Sequence, residues 1–527
     1  MTGALAGLRI VVSGFELEQS EHRGTAVFTK NVLRALRRAG AEIWLLTEYD
    51  PPTESIRPRK LGLPSAQMIY KARVLESLNS GGANFVSSLR VRLLGHLFPF
   101  RRWPRLLHPL RELSILLFPR QRYRQRGLKA FSTSELFDNP YLQSDRLGYL
   151  KDVDGLLCAD QIFANSFRLA RTRWGPNRLH LDLSGFDGFI TTSPLNIEAR
   201  NTRFCVQTVH DLIPLEYTQT FDSLRAFTRR LLACRQAARL FVSESAERKY
   251  NSVFPAASQQ KDHASAVIVQ SPSLHFPPDA CDWEARIKVL RLQAEGYQKL
   301  QALHPCRYLL FNSSIEPRKN LLFVLKAYLE SGLEAHGIQL CITGKLKNDG
   351  YSNDVRRLAD CHPFILLTGY VDEALKRQLF LNALALVSPS LVEGFGIPVL
   401  DAACLGVPAI ASQSQSHREI QQLHDFDQHV LLCSTRETSD WASALRLTYR
   451  RFEQQRLEAI GNTARLPHQT QRQLLWFNEV RQQRIVRYRR LQTAIDSRFE
   501  AAISAVITAE LQPAATTLDL KNTVLAA

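Results

Sequence analysis

The stretch ALALVSPSLVEGFGIPVLDAACLGVP, Ala383 to Pro408, decides how the rest of the chain is read. It opens with a short apolar run, Ala383–Val387, of the length expected for a strand buried on both faces. Ser388-Pro389-Ser390 breaks that run, and Glu393-Gly394-Phe395-Gly396 leads into a helix with Pro398 in its first turn and Gly406 just past its end. A strand feeding a glycine turn into a helix start aims backbone N–H groups and a positive dipole end at one spot. Such a spot suits a phosphate or a sugar hydroxyl. Gly394 and Gly396 let the backbone come close to a ligand, and the carboxylates of Glu393 and Asp401 bracket the turn. The plainer reading is a βα corner of a doubly wound sheet; the two acids at this spacing favour a site.

Composition narrows the classes. At 527 residues the chain exceeds a single core and fits two domains with additions. A hydrophobic content of 45% and a charged content of 22% are ordinary for a globular protein. No apolar run approaches the ~20 residues of a spanning helix. The opening MTGALAGLRIVVSGF lacks a basic leader and runs into a strand, which argues against a signal peptide. Nine cysteines without a C-x-x-C read as reduced core thiols, consistent with a cytoplasmic protein and with no metal site.

The net charge of +17 is local: between Arg57 and Lys129, sixteen Lys and Arg face two Glu. Within this region VRLLGHLFPFRRWPRLLHPLRELSILLFPRQRYRQRGLKA mixes Leu, Phe and Trp103 with arginines, and its prolines predict short helical pieces rather than one helix. It reads as an inserted subdomain, as a surface for anionic lipid headgroups, or, least of the three for lack of any binding motif, as a nucleic-acid site.

Elsewhere a βα rhythm prevails. Strands are expected at Leu8–Ser13 and Glu42–Thr47 around a helix from about Thr25 to Ala39, with Gly24 at its start. Further strands fall at Phe189–Thr192, Phe204–Val209, running into His210-Asp211-Leu212-Ile213-Pro214, and Val267–Gln270. A polar helix is expected from Trp283 to about Leu303. A second alternation then starts at Tyr308, with Arg318 and Lys319 in a strand-to-helix turn, a helix from Asn320 to Gly332, and strands at Gln339–Thr343 and Phe364–Leu367. Trp441 to about Arg490 is helical, and Ala505–Ala527 reads as a frayed tail. Adjacent cations at such a turn suit a diphosphate, Arg as a fork and Lys as a point charge. The D-x-D pairs Asp152/Asp154 and Asp425/Asp427 are short enough to arise by chance and are set aside as metal sites.

EGFGIPVLDA resembles the Glu-x7-Glu signature of retaining GT-B glycosyltransferases of the group 4-type (glycosyl transferases group 1) family, with Asp401 where that family has its second Glu. IEPRKNL at Ile315–Leu321 and HDLIPL at His210–Leu215 resemble the same family's motifs, in their mannosyltransferase variants. The resemblance covers roughly residues 8–50 and 187–480. It implies two Rossmann-like domains facing a cleft: 1–275 on the acceptor side with a basic insert at about 51–150, a linker at 276–305, a nucleotide-sugar domain at 306–485 with its last helix crossing back onto the first domain, and a terminal helix and tail at 486–527.

It also implies roles. Glu393 and His210 attend the sugar; Arg318, Lys319, Gly394, Phe395, Gly396 and Gly24 hold the donor diphosphate and sugar. Asp401, Lys345, Tyr370 and Val371 meet the nucleotide, with no metal. The implied reaction moves a sugar from a nucleotide diphosphate sugar, a co-substrate rather than a cofactor, to a glycan or lipid-linked acceptor with retention. The expected setting is cell-surface polysaccharide or O-antigen assembly on the inner face of the membrane, with GDP-mannose as the favoured donor. No second carboxylate stands out as a covalent nucleophile, which leaves a same-face displacement. The competing readings are a non-catalytic GT-B scaffold for nucleotide or lipid and a nucleotide-sugar 2-epimerase.

Overall fold

The computed structural model describes residues 3–22, 24–51, 63–81, 123, 128–134, 146–172, 178–217, 223–255, 263–276, 290–293, 300–460 and 467–512. The basic, apolar stretch between Arg57 and Lys129 lies largely outside these residues.

The first half builds one sheet from β1 (Arg9–Ser13), β2 (Glu42–Thr47), β3 (Lys129–Ser132), β4 (Gly155–Cys158), β6 (Gly188–Thr191), β8 (Phe204–Val209), β9 (Ala238–Phe241) and β10 (Ser265–Val267). Their spatial order is β10-β9-β8-β6-β1-β2-β4-β3, parallel throughout except for β3 against β4. Two short strands, β5 (Leu179–Asp182) and β7 (Ile197–Arg200), pair beside it. The helices are α1 (Gly24–Arg38), α2 (Leu63–Ser80), α3 (Ile162–Arg171), α4 (Ile213–Glu216), α5 (Leu224–Ala233) and α6 (Glu244–Val253). Strands such as β4 and β6 are buried along their whole length, as continuous apolar runs in a helix-covered parallel sheet should be.

After a hairpin of β11 (Leu290–Gln293) and β12 (Leu300–Leu303), the second half repeats the plan. Its strands are β13 (Tyr308–Asn312), β14 (Gln339–Thr343), β15 (Ile365–Gly369), β16 (Ala385–Ser388), β17 (Ala409–Ser412) and β18 (Val430–Cys433), in the all-parallel order β15-β14-β13-β16-β17-β18. Helices α7 (Leu321–Ser331), α8 (Gly350–Asp360), α9 (Glu373–Asn382), α10 (Ile397–Leu405), α11 (Gln415–Gln421) and α12 (Thr438–Ile460) connect and cover them. Both sheets reverse their strand order beside the first strand, between β1 and β6 and between β13 and β16. Ligands of open α/β sheets bind at the carboxyl ends there. This is the two-domain Rossmann-like GT-B plan expected from the sequence.

The last helix, α13 (Pro467–Leu511), joins the halves. On the second it donates from Arg484 to the carbonyls of Leu381 at 2.7 Å and Ala383 at 3.1 Å, and pairs Arg487 with Asp425 at 2.7 Å. On the first it sets Phe499 edge-on to Phe28 of α1, pairs Glu500 with Arg38 at 2.9 Å, and accepts the Ala264 N–H at Glu510.

Three expectations are corrected. The helix expected up to Leu303 is in part the β11–β12 hairpin: Leu290 and Leu292 alternate with Arg291 and Gln293, a period of two that suits a strand. The tail does not fray at Ala505, because α13 runs to Leu511 with Val506 and Ile507 buried on the first domain; 513–527 lie outside the described residues. Asn320 does start α7, but through a left-handed backbone (φ 55°) rather than a side-chain cap.

If α13 docks as seen, Ile507→Ala should lower stability by about 2–4 kcal/mol, read as a fall in the urea midpoint. Arg38→Ala, whose side chain is nearly half exposed, should cost less than about 1 kcal/mol. An Ile507→Ala protein as stable as wild type would mean that the end of the helix is not docked.

Candidate active site

The second sheet's reversal brings two loops side by side. The loop after β13 carries Glu316, Arg318 and Lys319, and the loop after β16 carries Glu393, Gly394, Phe395 and Gly396. A backbone bond from Leu391 N–H to the Arg318 carbonyl, 2.8 Å, ties them together.

Between them lies a buried ion pair. The Lys319 ammonium, in a residue 8% exposed, donates to the Glu393 carboxylate. Arg318 reaches the other Glu393 oxygen at 3.8 Å while its Nε donates to Glu316 at 3.0 Å, and Lys347 holds the second Glu316 oxygen at 2.8 Å. Burial pushes the Glu393 carboxyl up, but Lys319 and Arg318 outweigh it and hold its pKa at about 2. Burial pulls the Lys319 pKa down, and Glu393 restrains the fall. Glu393 is therefore ionised across the neutral range. Three cations here face two carboxylates, before the dipole of α10 is added.

The glycines fit their places for physical reasons. Gly396, the residue before α10, has φ 110°, a left-handed region that strains any other side chain. A Cβ there would also lie 2.9 Å from Cδ2 of His417. A Cβ on Gly394 would lie 2.8 Å from the carbonyl oxygen of His210, in the first domain. The first domain therefore rests directly on this turn. Gly24 joins them, since a side chain on it would meet Ile397 at 3.3 Å. Phe395 is buried at 6% exposure and belongs to the apolar core.

His210 follows β8, with its Nε2 donating to the Thr192 carbonyl at 2.6 Å and its ring edge-on to Phe28. Because a carbonyl only accepts, the ring proton sits on Nε2. Lys345 and Tyr370 follow β14 and β15: Lys345 is exposed, 3.9 Å from Glu21 of the first domain, and Tyr370 is 54% exposed beside the partly buried Val371.

Asp401 stands apart from this group. It is fully buried, and its oxygens accept from the Ser273 N–H at 2.6 Å, the Ser273 hydroxyl, and the Tyr488 hydroxyl at 2.9 Å. Its position ties α10 to the end of the first domain and to α13. Of the two D-x-D pairs, Asp154 holds Arg37 and the Ile43 N–H, and Asp425 holds Arg487.

Several site residues escaped the sequence reading. Lys347 and Glu316 complete the charge network. Asp211, quoted in HDLIPL without a role, puts its Cβ 3.2 Å from where a Gly394 side chain would be, and burial pushes its carboxyl up. His417 is fully buried, bonded through Nδ1 to Ser412, with its Nε2 unpartnered and burial pulling its pKa down. Lys347 lies 31 positions from Glu316 and Asp211 lies 183 from Gly394, separations that leave no local signal.

Residues 306–450 match the family model described as Glycosyl transferases group 1. The O-antigen chain mannosyltransferase B of Escherichia coli is 32% identical over 117 residues, 21% of this chain; the match spans 30% of the relative's length. Among solved structures, sucrose-phosphate synthase from Thermosynechococcus elongatus aligns over 95% of this chain and 100% of its own at 12% identity and a TM-score of 0.48. TarM aligns over 97% of this chain and 100% of its own at 10% identity and the same TM-score. Both scores are low, and the fold assignment stands on the strand orders. Glu316, Arg318, Lys319 and Glu393 all lie within the segment that matches the glycosyl transferases group 1 model.

Proposed function

We propose that the protein transfers a hexosyl group from a nucleoside diphosphate sugar to a hydroxyl of a glycan or lipid-linked acceptor, with retention at the anomeric carbon. The observation that carries this reading is the Lys319–Glu393 pair, with Arg318 alongside, at the carboxyl-end reversal of the second sheet and at the start of α10. An arriving diphosphate would replace Glu393 as the partner of Lys319 and take the fork of Arg318. The charge growing on the leaving phosphate then meets groups already in place, the kind of preorganised stabilisation that usually contributes most. In this reading the cations do the neutralising and no metal is assigned.

Glu393, released, holds sugar hydroxyls and favours an oxocarbenium-like centre. His210 meets the sugar from the opposite wall, and the nucleotide lies towards Lys345, Tyr370 and Val371. The leaving phosphate takes the acceptor proton, which gives a same-face displacement. The name of the E. coli relative supports mannose, hence GDP-mannose, and O-antigen-type polysaccharide assembly.

We place the acceptor against the first domain and assign the basic Arg57–Lys129 segment to an anionic membrane surface on the cytoplasmic side. Among the described residues no helix is long and apolar enough to cross a membrane. A second reading, a nucleotide-binding scaffold without turnover, is favoured by one observation. The oxygens of Asp401, which the family resemblance directs to the ribose, are already occupied by Ser273 and Tyr488.

Thermal shift against GDP, UDP, ADP and dTDP sugars tests the donor site. One nucleotide should stabilise the wild type by mass action, about 2.7 kcal/mol at a hundredfold excess over Kd, and Lys319→Ala should abolish the effect. Sugar release from that donor then separates enzyme from scaffold, and a panel with no shift contradicts both. For the membrane, Arg101→Gln/Arg102→Gln/Arg105→Gln should weaken flotation with anionic vesicles by about a hundredfold, at roughly 1 kcal/mol per residue. Unchanged flotation would remove that assignment.

A further inference from the structure

The turn following Glu393 is gripped from both domains at the Gly394 carbonyl. Ser243, the residue before α6, donates from its hydroxyl to the Gly394 carbonyl at 3.0 Å, while the same oxygen accepts the Ala246 N–H at 3.1 Å as the cap of α6. From the second domain, the Ser416 hydroxyl lies 2.9 Å from the Glu393 carbonyl and 3.1 Å from that of Gly394. The Gly394 carbonyl is thus held by one hydroxyl from each side. On the same helix end, Glu419 of α11 accepts the N–H groups of Glu244 and Ser245, both at 2.9 Å. A second-domain carboxylate therefore completes the N-terminus of a first-domain helix, where negative charge is favoured.

We propose that Ser243 is a positioning residue for the sugar-transfer step, and that its bond to Gly394, seated by Glu419, registers the Glu393 carboxylate when the domains are closed. This rests on the glycosyl-transfer reading above. The geometry separates two functions. Arg318 and Lys319 belong wholly to the second domain, so the two cations proposed to hold the diphosphate are placed without Ser243. The orientation of Glu393 does need it, because the Gly394–Phe395 peptide next to it in the turn is anchored across the interface, and small misplacements of such a group cost much rate.

Three full-length variants separate the roles of the hydroxyl. Ser243→Thr keeps both the cap and the donor; Ser243→Asp keeps a capping acceptor but cannot donate to Gly394; Ser243→Ala loses both. Binding of the responsive nucleoside diphosphate is read by thermal shift, and sugar transfer by kcat and KM.

The expected result is a Ser243→Asp protein with a wild-type melting temperature and nucleotide shift, and kcat reduced about ten- to a hundredfold with KM little changed. Ser243→Thr should restore wild-type turnover, and Ser243→Ala should show the same kcat loss with a lowered melting temperature. Wild-type kcat in Ser243→Asp overturns the positioning role, as does loss of nucleotide binding in step with turnover. A wild-type protein that binds no nucleoside diphosphate overturns the functional reading itself, and the role of Ser243 with it.

Discussion

The site depends on one buried ion pair. Lys319 and Glu393 come from loops seventy-four residues apart, and each is tolerable in its place only because the other is there. Removing one partner of such a pair leaves an uncompensated charge and costs about 3–5 kcal/mol. The pair sits where β13 and β16 lie side by side in the sheet, beside a turn that passes under the first domain at Gly394 and against His417 at Gly396, and Arg318 and Lys347 add further positive charge around it. A pair of this kind contributes little to stability compared with an apolar core of equal volume. Its value is that an incoming anion exchanges one partner for another at a preformed cation.

Around it, the two sheets do one job each. The second brings charge to its reversal point; the first supplies His210, Asp211, Ser243 and Gly24, which rest on the same turn or on the helix start behind it. Helix α13 sets the register between them by packing on Leu381 and Ala383 at one end and on Phe28 and Arg38 at the other. The Asp401 cluster with Ser273 and Tyr488 reinforces that join beside the site.

Much of this was legible in the sequence because the signals are local. The apolar run, broken at Ser388-Pro389 and followed by Gly396 and Pro398, gave strand, turn and helix within two residues of the observed limits. Arg318 and Lys319 stood out as adjacent cations in a strand-to-helix turn, and they lie at the ion pair. What could not be read is what depends on distant packing. The spacing of Glu393 and Asp401 said nothing about Asp401 turning inward to Ser273, 128 residues away. Ser243 and Asp211 look ordinary until the domains meet, and His417 until α11 packs against Gly396. The β11–β12 hairpin lay in a polar segment whose alternation is too short to arbitrate between strand and helix, and the burial of Ile507 follows from α13 reaching the first domain rather than from its own sequence.

A crystal structure of the protein with GDP bound would decide whether the ion pair is the diphosphate site. The diphosphate should lie at the start of α10, within hydrogen-bond reach of Lys319 and Arg318, with Glu393 released from Lys319 and turned towards the first domain. A diphosphate bound elsewhere, with the Lys319–Glu393 pair intact, would contradict that placement.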